Sequence, residues 1–369
     1  MNGVIALMGS GEIAPSMVRF YRELLGAHPA SRAIYFDTPY GFQENVPQLN
    51  EKIETYFRDA FSLRMTRASL LNARSASDLE LAEFRATIDG ADFAFAGPGS
   101  PTYALKNFAS ASLEAPLGRL LQRGGVVCFS SAAALTLGRF TPPIYEMYKV
   151  GDTPHWLEGL NLLASAQLDC VVIPHFDNAE GGNHDTRYCY IGERRFNQLL
   201  DLLPPETSVL GIDEHTAAVI DISADTLSVH GKGSAWWIVG DDRRELPSGA
   251  SITLSELRGR VADRPEEVLT LATEAPSNES LARQLASRAL AAGDDAELAL
   301  MELVEMAERG NPGSIDPSEL FDDLLVLRAQ VRKDGHFAIS DGIRDALSRV
   351  GVDIHDSPSG STWTFREAE

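Results

Sequence analysis

Short apolar runs recur along the first 240 residues, at about 3–8, 33–37, 61–65, 92–96 and 125–129. Between them lie longer stretches in which apolar residues return every three or four positions, at about 14–25, 44–60, 78–88 and 103–122. The first pattern predicts buried strands and the second predicts amphipathic helices. Their regular alternation predicts an α/β fold with a doubly wound, mostly parallel sheet. Further strand-like runs at 208–212, 217–222, 227–229 and 235–239 close this domain, the last ones with hairpin spacing. The pattern then changes. Pro247, Gly249, Pro265 and Pro276 break it, so 243–277 reads as a connector between a domain at 1–242 and a tail at 278–369. In the tail only the helical period survives, at 279–292, 296–308, 317–334 and 337–350, which predicts a small all-α domain.

In an open parallel sheet, ligands bind beyond the carboxyl ends of the strands, so polar residues there carry the candidate chemistry. Gly125-Val126-Val127-Cys128-Phe129-Ser130-Ser131 runs from an apolar strand into the small-residue segment Ala132-Ala133-Ala134-Leu135. A serine at such a turn has its hydroxyl pushed out of the sheet, and the N–H groups that open the next helix face any oxyanion forming beside it. His175 follows the run 169–173, and Asp213-Glu214 follow the run 208–212. A serine needs a base, and the base needs a carboxylate to fix its tautomer. Ser131, His175 and Glu214, with Asp213 as the substitute acid, fit those roles. Cys128 lies three residues before Ser131, so strand alternation turns it to the opposite face as a core thiol.

These segments, with Ala6-Leu7-Met8-Gly9-Ser10-Gly11-Glu12 and Gly97-Pro98-Gly99-Ser100, resemble the cyanophycinase and aspartyl dipeptidase family of serine peptidases. The resemblance covers roughly the first 240 residues. It implies a fold like that of class I glutamine amidotransferases, a triad of Ser131, His175 and Glu214, and oxyanion donors at Gly99 and Ala132. The family's elbow has the pattern G-x-S-A-G, whereas here Phe129 and Ala133 replace the two glycines. Glycine suits a crowded, strained turn, so Phe129 is expected to reshape the elbow.

Residues 175–195 form the richest polar segment, which reads as a substrate pocket. Asp177, Asn178, His184 and Asp185 are candidate substrate contacts. Arg187, with Arg194 and Arg195 as alternatives, is a candidate clamp for a substrate carboxylate, as the resemblance implies for an acidic substrate. Lys149 or Glu146, after the Pro142-Pro143 break, offers a second rim. His175, Asp177, His184, Asp185 and His215 also form a nitrogen and oxygen donor set for a metal hydrolase, but their spacing matches no known ligand pattern. No metal or cofactor is therefore expected.

The tail carries a second resemblance. Asp356-Ser357-Pro358-Ser359-Gly360-Ser361-Thr362-Trp363 and the helical stretch before it resemble the C-terminal region of cysteinyl-tRNA synthetases. The class I signatures H-I-G-H and K-M-S-K-S are absent, so aminoacylation is not expected. From Val261 onward there are 22 acidic and 10 basic residues, a net charge of −12, which opposes phosphate binding. A face with Arg328, Arg332, Lys333, Arg344 and Arg349 keeps tRNA as a minor alternative.

The whole chain, 369 residues with a net charge of −21, three cysteines and no long apolar run, reads as a cytoplasmic, homo-oligomeric enzyme with a small peptide substrate. Its expected reaction is cleavage of an amide bond in a small, acidic peptide or amino-acid conjugate. The alternative from another class is a degenerate hydrolase scaffold that binds a small ligand or tRNA without turnover.

Overall fold

The computed structural model describes residues 2–262, 325, 344, 352–357 and 360–365. The chain divides into two compact units, Met1–Arg264 and Pro265–Glu369. In the first, β1 (Val4–Met8), α1 (Val18–Ala27), β2 (Ala33–Phe36), α2 (Val46–Phe61), β3 (Met65–Ala68), α3 (Asp78–Asp89), β4 (Phe93–Ala96), α4 (Pro101–Ser110), α5 (Glu114–Gln122) and β5 (Val126–Ser130) follow in order. The short helix α6 (Ala132–Leu135), the strand pair β6 (Phe140–Thr141) and β7 (Leu157–Glu158), β8 (Cys170–Ile173), α7 (Gly192–Asp201) and β9 (Ser208–Ile212) come next. The unit ends with β10 (Thr216–Asp221), β11 (Thr226–Gly231), β12 (Ser234–Val239), β13 (Asp242–Pro247), β14 (Ser251–Thr253) and α8 (Leu254–Ala262).

Eight strands form one sheet in the order β14-β11-β10-β1-β5-β4-β2-β3, parallel from β1 to β3 and antiparallel from β1 to β14. Its central strands are apolar on both faces, as helices on both sides demand. Val4, Ala6 and Met8 join Tyr35, Phe95 and Cys128 against α1 and α2, while Ile5 and Leu7 join Phe36 and Phe129 on the other face. A second sheet runs β13-β12-β9-β8, with β8 and β9 parallel. All three cysteines, Cys128, Cys170 and Cys189, are buried and free, and burial pushes the Cys128 thiol up to about 12. Among the described residues no helix is long and apolar enough to cross a membrane.

Three local expectations change. The third strand begins at Met65 rather than 61, because Phe61 completes α2 and packs against Tyr21, Tyr56 and Phe57. The single helix expected at 103–122 is broken into α4 and α5 at Ser112, which has φ 52°. The expected connector contributes structure as far as residue 262: β13 pairs with β12, β14 pairs with β11, and Leu246, Ile252, Leu254 and Leu257 enter the core. Pro247 closes β13 and Gly249, at φ 87°, turns the chain towards β14, while Pro265 and Pro276 lie outside the described residues.

Most of the expected tail helices lie outside the described residues; Leu325 and Arg344 are helical. The all-α expectation gives way at the end of the chain, where β15 (Val352–Ser357) and β16 (Gly360–Phe365) pair antiparallel, with Ile354 opposite Trp363. Val352, Ile354, Thr362, Trp363 and Phe365 are strand-favouring residue types, and Pro358 and Gly360 are breaker types in the sequence between them.

Candidate active site

The carboxyl ends of β5, β8 and β9 each lead into one polar residue of the site. Ser131 comes directly after β5, and His175 and Glu214 each lie two residues beyond their strand. Gly9, just after β1, ties the three ends together. Its carbonyl accepts the His175 N–H and its N–H donates to the Thr216 carbonyl, while the Ser131 N–H donates to Met8 next door. A Cβ on Gly9 would lie 2.0 Å from the Asp213 carbonyl oxygen, so only glycine lets β1 and the β9–β10 turn approach this closely.

Ser131 Oγ lies 2.9 Å from His175 Nε2, and His175 Nδ1 lies 2.8 Å from Glu214 Oε1. The serine backbone has φ 50° and ψ −123°, a strained conformation for a residue with a side chain. His175 and His215 also have positive φ, at 48° and 53°. The histidine side chain is 12% exposed and that of the glutamate 26%, so both are shielded without being sealed off. With a carboxylate at Nδ1, the imidazole keeps its proton there and leaves the Nε2 lone pair facing the serine hydroxyl. The histidine hydrogen bond, helped by an N–H bond from Asn178 Nδ2 at 3.0 Å, holds the Glu214 carboxyl below the usual range.

Phe129 does not reshape the elbow. Its side chain is fully buried in the core, where it meets Phe36 and Phe108. Glycine is dispensable at that position because the room exists on the core face. Ala133 is likewise fully buried.

Asp213, the substitute acid, points elsewhere. It accepts from the Ser234 N–H at 2.8 Å and from Trp236 Nε1 at 3.0 Å, and so fastens the β9 end to β12. Burial pushes its carboxyl up to about 6.

Among the expected substrate contacts, two support Glu214 instead. Asn178 is buried and donates to its side chain, and Asp177 accepts its backbone N–H at 2.7 Å. Arg187 is already engaged: its guanidinium forms a bidentate pair with Asp185 and a bond to Glu193 at 3.1 Å. That pairing drives the Asp185 carboxyl down and the guanidinium up. A substrate carboxylate would have to displace two acids to use it. Arg194 bonds Gln198, and Arg195 bonds the Ile191 carbonyl.

Tyr188, Cys189 and Tyr190 bend the chain back, with three consecutive positive φ values of 58°, 59° and 71°. The turn is fastened by the Cys189 N–H donating to the His175 carbonyl, and it sets the Tyr190 ring 5.2 Å from the imidazole. Tyr148 touches Tyr190 and stacks on His184. Nothing in the sequence announces this turn, since none of the three residues is glycine.

Lys149 sits over the Tyr145 ring on a π-helical turn, Glu146–Val150. The Tyr145 hydroxyl donates to the Gly99 carbonyl and Glu146 accepts from Thr102, so this turn braces the 97–102 loop. Gly99 has φ 154°, and a Cβ there would lie 1.9 Å from the Pro39 carbonyl oxygen. The Ala132 N–H, first in α6, has no carbonyl one turn back to receive it. The donors suggested for a metal do not converge: among the described residues no three His, Cys, Asp or Glu side chains are grouped to hold an ion.

No protein-family model matches the chain. The structure is similar to that of a peptidase from an acI-B1 Actinobacterium, with a TM-score of 0.56 and 23% identity over 69% of this chain and 97% of that one. The α/β unit therefore has the fold of that peptidase. A putative peptidase E protein from Listeria monocytogenes EGD-e aligns with 67% of this chain and 99% of its own, at 14% identity and a TM-score of 0.40. In sequence, the chain is 35% identical over 69 residues to a cysteine–tRNA ligase of Salinibacter ruber, and 34% identical over 91 residues to that of Pseudomonas putida (strain W619). Those matches cover 18% and 25% of this chain, and the chain spans only 13% and 20% of the ligases' length. They bear on the C-terminal tail.

Proposed function

We propose that the protein is a serine hydrolase that cleaves the amide bond of a small, acidic peptide or amino-acid conjugate. The observation that carries this reading is the continuous relay from Ser131 Oγ through both nitrogens of His175 to Glu214, built on a strained turn. His175 Nε2 takes the Ser131 proton as Oγ attacks the carbonyl carbon. The tetrahedral oxyanion is held by the N–H groups of Ala132 and Gly99. His175 then gives the proton to the leaving nitrogen, the C–N bond breaks, and an acyl-serine remains. Water, deprotonated by the same imidazole, releases the acid and restores the serine. Glu214 keeps the imidazole in register and stabilises its charged form.

A fluorophosphonate probe tests the reading. The wild-type chain should be labelled at Ser131 and Ser131→Ala should not. An unlabelled wild-type protein, or a variant labelled as fast, ends this proposal and leaves the ligand-binding scaffold in its place.

A further inference from the structure

The turn after β1 brings a carboxylate to the nucleophile elbow. Glu12 Oε2 accepts from the hydroxyl of Ser130, the last residue of β5 and the one before Ser131, at 3.0 Å. Ser130 is fully buried, so its hydroxyl needs a partner, and Glu12 supplies it. The same side chain lies beside the 97–102 loop. A Cβ built on Gly97 would lie 3.8 Å from Glu12 Cγ, and Glu12, Pro98 and Gly99 line one cavity. Glu12 therefore stands between the elbow that carries the proposed nucleophile and the loop that carries a proposed oxyanion donor.

A strained backbone persists only where its surroundings fix it. At Ser131, with φ 50° and ψ −123°, the side chain makes no capping bond to α6 and is turned to His175, so other atoms have to hold the turn. The Ser131 N–H bond to the Met8 carbonyl holds it on the β1 side. The bond from Ser130 to Glu12 holds the residue before it. Resting on the proposed hydrolase reading, we infer that Glu12 is a positioning residue: by holding Ser130 beside Gly97, it sets the spacing between the Ser131 hydroxyl and the Gly99 N–H. The elbow needs an acceptor from Glu12 and not a charge. A misplacement of about 1 Å between reacting groups costs roughly 10²-fold in rate, so slight slack at Ser130 is enough to be measured.

The rate at which a fluorophosphonate labels the full chain, taken per folded molecule and with urea midpoints measured alongside, tests the assignment. Glu12→Ala and Ser130→Ala should each slow labelling about tenfold or more. Combined, they should cost no more than either alone, because they remove one contact from its two ends. Glu12→Gln keeps an oxygen for the Ser130 hydroxyl and should recover most of the rate, losing only the extra strength of a charged acceptor. A merely structural role would lower the midpoints and leave the labelling rates alone. Wild-type rates in Glu12→Ala or Ser130→Ala, additive losses in the double variant, or a Glu12→Gln chain as slow as Glu12→Ala overturns this inference and spares the hydrolase reading. If Glu12→Ala does not fold, Ser130→Ala and Glu12→Gln decide the matter between them. A wild-type chain that is never labelled overturns the hydrolase reading, and the role of Glu12 with it.

Discussion

Ser131 lies 2.9 Å from His175 Nε2, and Ser16, on a short turn after β1, lies 3.0 Å from His215 Nδ1. By distance the two pairs are equivalent. They differ in everything that makes a serine reactive. His175 passes its second nitrogen to Glu214, while no carboxylate meets the second nitrogen of His215 among the described residues. Ser131 sits at the end of a strand in a strained backbone, whereas Ser16 sits in the ordinary turn Pro15–Met17. A hydroxyl beside an imidazole is thus a common packing motif. The third group and the strained junction are what distinguish a candidate nucleophile from a part-buried hydrogen-bonded pair.

The largest contrast is expected from removing each hydroxyl. Ser131→Ala should lower amide hydrolysis by about 10³-fold or more and abolish fluorophosphonate labelling. Ser16→Ala should leave both near the wild-type level, and a comparable loss there would erase the distinction between the pairs. Next, Glu214→Gln should cut the rate by about 10²- to 10⁴-fold with little change in KM, because the amide no longer enforces the right tautomer of His175. Steady-state kinetics on any cleaved dipeptide reads this.

Phe129→Ala tests whether the elbow stands on its own geometry. Emptying this core position should cost about 3 to 5 kcal/mol in urea unfolding, with the rate per folded molecule changed far less. A gain in rate would mean that Phe129 does restrain the elbow.

The smallest effects are pH-dependent and have opposite signs at two adjacent residues. Glu214 has a lowered carboxyl pKa, so its stabilisation is present above its unfolded value of about 4.3 and is lost as pH falls through the lowered value. Asp213 is raised to about 6, so its term is most favourable below its ordinary value of 3.8 and is lost as pH rises through about 6. Unfolding free energies from urea titrations between pH 3 and 8 should therefore lose a contribution that falls with pH in Asp213→Asn and one that rises with pH in Glu214→Gln.

How much of this was legible in the sequence follows from where each residue sits. Ser131, His175 and Glu214 were readable because each stands just past an apolar run, where strand period and topology fix position. Glu214 was preferred to Asp213 there, although alternation ends at the turn, where His215 takes a positive φ. Arg187 was misread: the left-handed run at Tyr188, Cys189 and Tyr190 folds Asp185 and Glu193 onto it. Phe129 looked prohibitive because sequence pattern records residue type and not the face on which there is room. Strands β13 and β14 were hidden by Pro247, the last residue of β13, and by Gly249 between the two strands. Gly9 stood in a quoted motif, but its role as the meeting point of two sheets depends on contacts far apart in the chain.

The burial of Cys128, Cys170 and Cys189 has a practical consequence. A maleimide dye offered to the native chain finds none of the three in reach, so a cysteine introduced on the surface becomes the single attachment point. Fluorophores placed in this way on either side of the 97–102 loop would report ligand entry by energy transfer, without first stripping the natural thiols from the core.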